Sequence, residues 1–131
     1  MKIGFVRVFV SDFGASLEFY TTKVGLKLDH QDAGYGWAQF HAGKDVSLAI
    51  ERCDPKHAEG GSVLVGRFVG VTLMVEDVHG TYERMKQAGV EFTAAPEKQP
   101  WGGTLAHFKD PDGNILSLLQ EGAFKASEPG A

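Results

Sequence analysis

Apolar and polar residues alternate over two short stretches that resemble one another. Val6, Val8 and Val10 take every second position near the start, and Val71, Leu73 and Val75 do so in mid-chain. This period-two pattern predicts half-buried strands. Each strand leads to an aspartate, Asp12 or Asp77, and then to a stretch with helical spacing. The first helix is predicted over residues 14–23, with Leu17, Phe19, Tyr20 and Val24 as apolar positions. The second is predicted over residues 78–87, with Val78, Tyr82 and Met85 along one face. An aspartate just ahead of a helix accepts hydrogen bonds from its free N–H groups. Gly25 and Gly89 close the two helices, where glycine takes the left-handed conformation that ends them. Asp12 and Asp77 stand 65 positions apart and Gly25 and Gly89 stand 64 apart, so the chain reads as a tandem repeat.

Three strand-like segments follow each helix: residues 26–32, 37–41 and 46–52, then 90–95, 104–109 and 114–120, divided by Gly-, Pro- and Asp-rich turns. The predicted fold class is α+β, two tandem βαβββ modules at about residues 3–52 and 67–121 that form a curved mixed sheet around a cleft. They make one domain over residues 1–121, with a linker at 53–66 and a polar tail at 122–131. Alternation assigns the faces. Val6, Val8, Val10, Leu48, Ile50, Val71, Leu73, Val75, Ala106, Phe108, Leu116 and Leu118 face the helices. Phe5, Arg7, Phe9, Ser47, Ala49, Glu51, Gly70, Thr72, Met74, Leu105, His107, Ile115, Ser117 and Leu119 face the cleft, joined by Trp37, Gln39 and His41.

The motifs Val10-x-Asp12 with Ser16-x-x-Phe19-Tyr20 and Val24-Gly25-Leu26, then Val75-x-Asp77 through Ala88-Gly89-Val90, and then Asp110-Pro111-Asp112-Gly113-Asn114, resemble the vicinal-oxygen-chelate superfamily of glyoxalases, bleomycin-resistance proteins and extradiol dioxygenases. The resemblance spans residues 3–121. In the metal enzymes of that superfamily, ligands stand on cleft-facing positions of the first and last strand of each half. The matching positions here are Phe5, Ala49, Gly70 and Ser117. None is a histidine or carboxylate, so no metal and no cofactor is expected. The segment Glu97-Lys98-Gln99-Pro100-Trp101-Gly102-Gly103 is similar to the metal-free bleomycin-resistance branch. That likeness implies a homodimer that sequesters a ligand in a cleft. Arg7 on the cleft floor argues against a cationic ligand of the bleomycin type.

Composition narrows the partners. The chain has 131 residues, 43% hydrophobic and 23% charged, with a formal charge of −4, which are values of an ordinary globular domain. Its Lys and Arg residues are scattered, which excludes a nucleic-acid track, and no apolar run reaches the ~18 residues of a membrane span. One cysteine, Cys53, fits a reducing cytoplasm.

The candidate ligand-binding residues are Phe5, Arg7, Phe9, Trp37, Gln39, Glu51, Met74, Trp101, His107 and Ser117. The guanidinium of Arg7 is suited to a ligand carboxylate or phosphate, or to an internal pair with Glu51. Phe5, Phe9, Trp37 and Met74 would stack on a flat organic molecule or close the seam between the halves. Trp101, between Pro100 and two glycines, reads as a ligand lid or a partner anchor. His107 and Glu51 are the candidate catalytic groups. The leading expectation is metal-independent binding of an aromatic or amphipathic small molecule, as in drug or metabolite sequestration. The alternatives are a glyoxalase-like lyase or isomerase acting on a small carbonyl or aromatic substrate, and a degenerate interaction domain.

Overall fold

The alternating valines form β1 (Phe5–Val10), in which Val8 and Val10 are fully buried. The structure, a computed structural model, describes residues 1–44, 46–53 and 64–122. Most of the expected linker and nearly all of the expected tail therefore lie outside the described residues. The first helix, α1, is α-helical over Phe13–Glu18 and widens to π geometry over Phe19–Val24. The hydroxyl of Thr21 donates to the carbonyl of Leu17 at 2.6 Å, and such back-bonding competes with the regular ladder. Asp12 accepts from the Ala15 N–H, and Gly25 ends the helix at φ +91°. Three strands follow: β2 (Leu28–Asp32), β3 (Trp37–His41) and β4 (Ser47–Arg52).

The second half repeats this plan with β5 (Phe68–Val75), α2 (Val78–Gln87), β6 (Glu91–Phe92), β7 (Glu97–Lys98), β8 (Thr104–Lys109) and β9 (Ile115–Gln120). Asp77 caps α2 as expected, accepting from the Gly80 N–H. The single strand expected over residues 90–95 is shorter, and β7 was not anticipated. Five steps from Phe92 to Glu97 face only three from Phe108 to Leu105, so the chain loops out between β6 and β7. Pro96, which has no N–H to give, lies in that excursion.

The strands make two sheets, β1-β4-β3-β2 and β5-β9-β8-β6, with β7 also on β8. Within each sheet the first strand pairs parallel to the last, and the other pairs are antiparallel. The inner faces of both sheets share one core. Tyr20 packs beside Phe40 of the first sheet with ring centroids 6.0 Å apart, and its neighbour Phe19 packs beside Phe108 of the second at 6.3 Å. Both inner faces thus turn toward the same helix, and the outer faces look away from each other. The α+β repeat agrees with the expectation. The residues expected to face the cleft lie on these outer faces.

A polar cluster fixes this arrangement. Buried Tyr20 donates its hydroxyl to Asp110 at 2.8 Å, across the two halves. The other Asp110 oxygen accepts from the backbone N–H groups of Asp112 and Asn114, both at 2.9 Å. Asn114, fully buried, donates to Asp110 and to the Phe9 carbonyl, and accepts from the N–H groups of Gly66 and Arg67. Asp112 takes both the hydroxyl and the N–H of Ser11. Burial pushes the Asp110 carboxyl above the usual range, and the hydrogen bonds from Asn114 and Tyr20 only partly offset this. Burial and the Asp110 charge together push the Tyr20 phenol up.

Tyr20→Phe leaves a buried carboxylate short of a donor and is expected to cost about 1–3 kcal/mol in urea unfolding. Because Asp110 titrates higher when folded, its contribution is fully present below the unfolded carboxyl range and is lost as pH rises through its folded value. The stability difference between the native protein and Asp110→Asn should therefore shrink from acid toward neutral pH. A flat or growing difference would contradict the assignment.

Candidate functional site

The outer face of the first sheet carries six of the expected ligand-binding residues. Cross-strand pairing aligns them in rows: Phe5 with Ser47 and His41, Arg7 with Ala49 and Gln39, and Phe9 with Glu51 and Trp37. Ala49 stands at the centre, and its small side chain lets larger neighbours meet across it. The Phe5 and Trp37 rings come within 5.4 Å of each other, edge to face at 88°. Ala49 is fully buried beneath these larger neighbours although it lies on an outer face. Arg7 donates to Glu51 at 2.9 Å, and its guanidinium also lies over the Phe9 ring, 5.2 Å from the centroid. Tyr35, on the turn between β2 and β3, reaches the other Glu51 oxygen at 3.4 Å. Gln39 donates to Ser47 at 3.3 Å.

Of the two roles open to Arg7, the internal pair with Glu51 is formed. The Arg7 side chain is 51% exposed while that of Glu51 is 15% exposed, so the internal pair forms at the edge of solvent. The pair cancels its own charge and leaves the face aromatic with little net charge.

The outer face of the second sheet is different. One row joins Thr72, Ser117 and His107, a second joins Met74, Leu119 and Leu105, and a third joins Phe68, Ile115 and Lys109. His107 Nδ1 lies 2.7 Å from the Ser117 hydroxyl, and the His107 ring meets Phe68 edge-on at 6.0 Å. Phe68 and Thr72 stand four positions apart on β5, while their partners Ile115 and Ser117 stand two apart on β9. The extra residues form a bulge at Gly70, whose φ of +73° suits glycine. Phe68 and Tyr35 were not foreseen at the site. Phe68 has the same parity as Thr72 and Met74 but precedes the anticipated strand, and Tyr35 read only as part of a turn.

The first-sheet group and the second-sheet group of Met74, His107 and Ser117 therefore face apart within one chain. Trp101 lies on a turn of the second half. It is half-exposed between β7 and β8, folded over Gly103, where any Cβ would strike its ring. A cavity of about 820 Å³ opens elsewhere, between β5 and the first half, with Val6, Val24, Leu26, Val71, Leu73 and Met85 in its walls. Of the expected ligand-binding residues only Met74 reaches it.

The sequence profile of the glyoxalase/bleomycin resistance protein/dioxygenase superfamily matches residues 2–118. The chain belongs to this superfamily. An uncharacterized Bacillus subtilis protein, YetH, is 37% identical to it over 92% of this chain and 98% of its own length. A bleomycin resistance protein from Klebsiella pneumoniae is 31% identical over 83% of this chain and 84% of its own. The crystal structure of TnmS3, an antibiotic binding protein from Streptomyces sp. CB03234, superposes with a TM-score of 0.73 at 32% identity, covering 92% of this chain and 95% of that one.

The metal chemistry of this superfamily finds no donor set at the matched positions. Phe5 packs on Trp37, Ala49 offers no donor, Gly70 lies in a bulge, and the Ser117 hydroxyl is engaged by His107. Among the described residues no three His, Cys, Asp or Glu side chains gather in a way that could hold a metal ion. No helix among them is long and apolar enough to cross a membrane.

Half-exposed ion pairs contribute little. Arg7→Met is expected to change stability by no more than about 1 kcal/mol, with a similarly small coupling to Glu51→Gln in a double-mutant cycle. A coupling of several kcal/mol would show that the pair is shielded from water in solution. Elemental analysis of the purified protein is expected to find no stoichiometric Zn, Ni, Mn or Fe. About one metal per chain, with binding abolished by a chelator, would refute the reading of the matched positions.

Proposed function

We propose that the protein is a metal-independent binder of a small, flat, largely uncharged organic molecule, held between the first-sheet face of one copy and the second-sheet face of another. The single domain behind this reading spans residues 1–121. The observation that carries it is the distribution of exposed apolar side chains. Of the eight large hydrophobic residues exposed among the described ones, Met1, Ile3, Phe5 and Val6 lie on or just before β1, and Phe68 and Met74 lie on β5. Both are edge strands, with one side open in their sheets. Open apolar edges favour association, and a two-fold axis would join β1 of each copy to β5 of the other, closing the assembly.

Such a dimer would set the Phe5–Trp37 pair opposite Met74, Phe68 and His107, giving an aromatic, soft-walled cleft. The antibiotic-binding and bleomycin-resistance relatives support sequestration as the role. The lyase or isomerase alternative requires Glu51 and His107 to act together. They stand on faces that look apart, so that chemistry would also need two copies.

Light scattering at micromolar concentration is expected to give a dimer, and Phe68→Glu is expected to shift it toward monomer with little loss of stability. A monomeric native protein would sink the two-copy site. For ligands, Trp101→Phe leaves Trp37 as the only tryptophan of two, so its emission reports on the proposed cleft. A bound compound should quench it, raise the melting temperature and be recovered unchanged. A saturating ligand at 100 times its Kd stabilises by about 2.7 kcal/mol. Recovery of a converted product would favour the lyase or isomerase, and a dimer that takes up no compound would favour the interaction domain.

A further inference from the structure

The polar pair on the second sheet remains unused by the fold. Ser117 is 3% exposed, and its hydroxyl has His107 Nδ1 as partner at 2.7 Å. The two residues are direct cross-strand neighbours on the outer face, so the contact holds the proximal side of the imidazole against the sheet. Nε2, on the far side of the ring, then points off the sheet. Among the described residues it has no hydrogen-bond partner. Phe68 braces the ring edge-on. Around it the face offers Thr72, Met74, Leu105 and Leu119, and its charged groups are Glu97 beside Leu105 and the Glu91–Lys109 pair in the outer row.

We infer that His107 Nε2 is the polar contact through which this face takes an oxygen of an uncharged aromatic ligand, and that Ser117 is a positioning residue that sets the tautomer. This rests on the proposed ligand-binding role of the two faces and adds the chemistry recognised there. A hydroxyl both donates and accepts, and an imidazole exposes either a donor or an acceptor at Nε2 according to which nitrogen holds the proton. When Ser117 donates to Nδ1, Nε2–H is free to donate to a ketone or quinone oxygen. When the Ser117 hydroxyl turns to accept from Nδ1–H, Nε2 is free to accept from a phenol. Rotation of one hydroxyl thus converts the site between carbonyl and phenol recognition without moving a ring. Without Ser117, Nδ1–H would be a half-buried donor with no acceptor, which costs free energy. That confines the histidine to the Nε2–H form.

Three probes on one ring system test this by calorimetry: naphthalene, 2-acetylnaphthalene, whose ketone only accepts, and 2-naphthol, whose hydroxyl donates well and accepts weakly. The native protein is expected to prefer both oxygenated probes to naphthalene by about two- to tenfold, the worth of one neutral hydrogen bond. His107→Phe, which keeps the ring, should erase both preferences and leave naphthalene binding intact. Ser117→Ala should weaken the preference for naphthol, whose ring-conjugated oxygen accepts poorly, more than that for the ketone, a split that a merely structural serine would not produce. Equal affinity for all three probes in the native protein, or equal losses for both oxygenated probes in Ser117→Ala, would overturn the inference while leaving the cleft reading in place. Failure of all three to bind would overturn the cleft reading itself. The pair can still be judged in the free protein, where Ser117→Ala should move the imidazole nitrogen resonances of His107 in ¹⁵N NMR. Resonances left unmoved would show that the serine does not set the tautomer.

Discussion

The buried carboxylate of Asp110 is the constraint on which the arrangement of the molecule depends. Its partners come from α1 through Tyr20 and from its own turn through Asp112 and Asn114. Asn114 extends the network to the end of β1 and to the segment entering β5, using both amide hydrogens and its oxygen. Apolar contacts such as Phe19 with Phe108 are non-directional and tolerate sliding. A buried polar network does not, because each unmet group carries a desolvation cost. The second half is therefore held on the first in one orientation, and that orientation turns the two outer faces apart.

Much of this was legible in the sequence for simple reasons. Period-two valines, aspartate caps and closing glycines report local geometry, so α2 (Val78–Gln87), β3 (Trp37–His41) and β8 (Thr104–Lys109) match their predicted bounds. The same parity argument placed Val8, Val10, Leu48, Ile50, Ala106, Phe108, Leu116 and Leu118 in the core, where they are buried, whereas Val6, assigned with them, is exposed on its edge strand. Non-local features stayed hidden. The π segment depends on a hydroxyl turning back on its own helix, β7 on a loop that returns to β8, and the Gly70 bulge on a mismatch between two strands far apart in the chain. The Asp110–Asn114 motif was visible as a signature, but its work in joining the halves needs Tyr20, 90 positions earlier.

At the candidate site, face membership was legible and the meeting of faces was not. Alternation states which residues share one side of a sheet. It does not say which way two sheets turn when one helix packs against both. Whether the two open faces close within one chain or between chains was not legible in the alternation. The shared core of Tyr20 with Phe40 and Phe19 with Phe108 excludes closure within one chain. Arg7 shows the same limit. An arginine among valines looks buried in sequence, yet on an edge strand its stem lies along the sheet while its head group reaches water beside Glu51.

The two halves arose on one plan and diverged most on their outer faces. In the first, Ala49 at the centre allows aromatic rings to close over the sheet, and the charges of Arg7 and Glu51 cancel. In the equivalent row of the second, a serine and a histidine replace alanine and glutamine, so a hydrogen-bonding pair stands where the first sheet has apolar contact area. A face that is aromatic and nearly neutral supplies contact area and little orientation. A face with directional groups supplies orientation and less area. Neither alone would select a ligand, since area without direction binds promiscuously and one neutral hydrogen bond is weak in water. Two unlike walls are complementary in this sense, whereas two copies of the same wall would duplicate one property and lack the other. In the two-copy arrangement proposed above, symmetry sets unlike walls opposite each other twice. The divergence of the repeat and the outward turn imposed by Asp110 would then serve the same end.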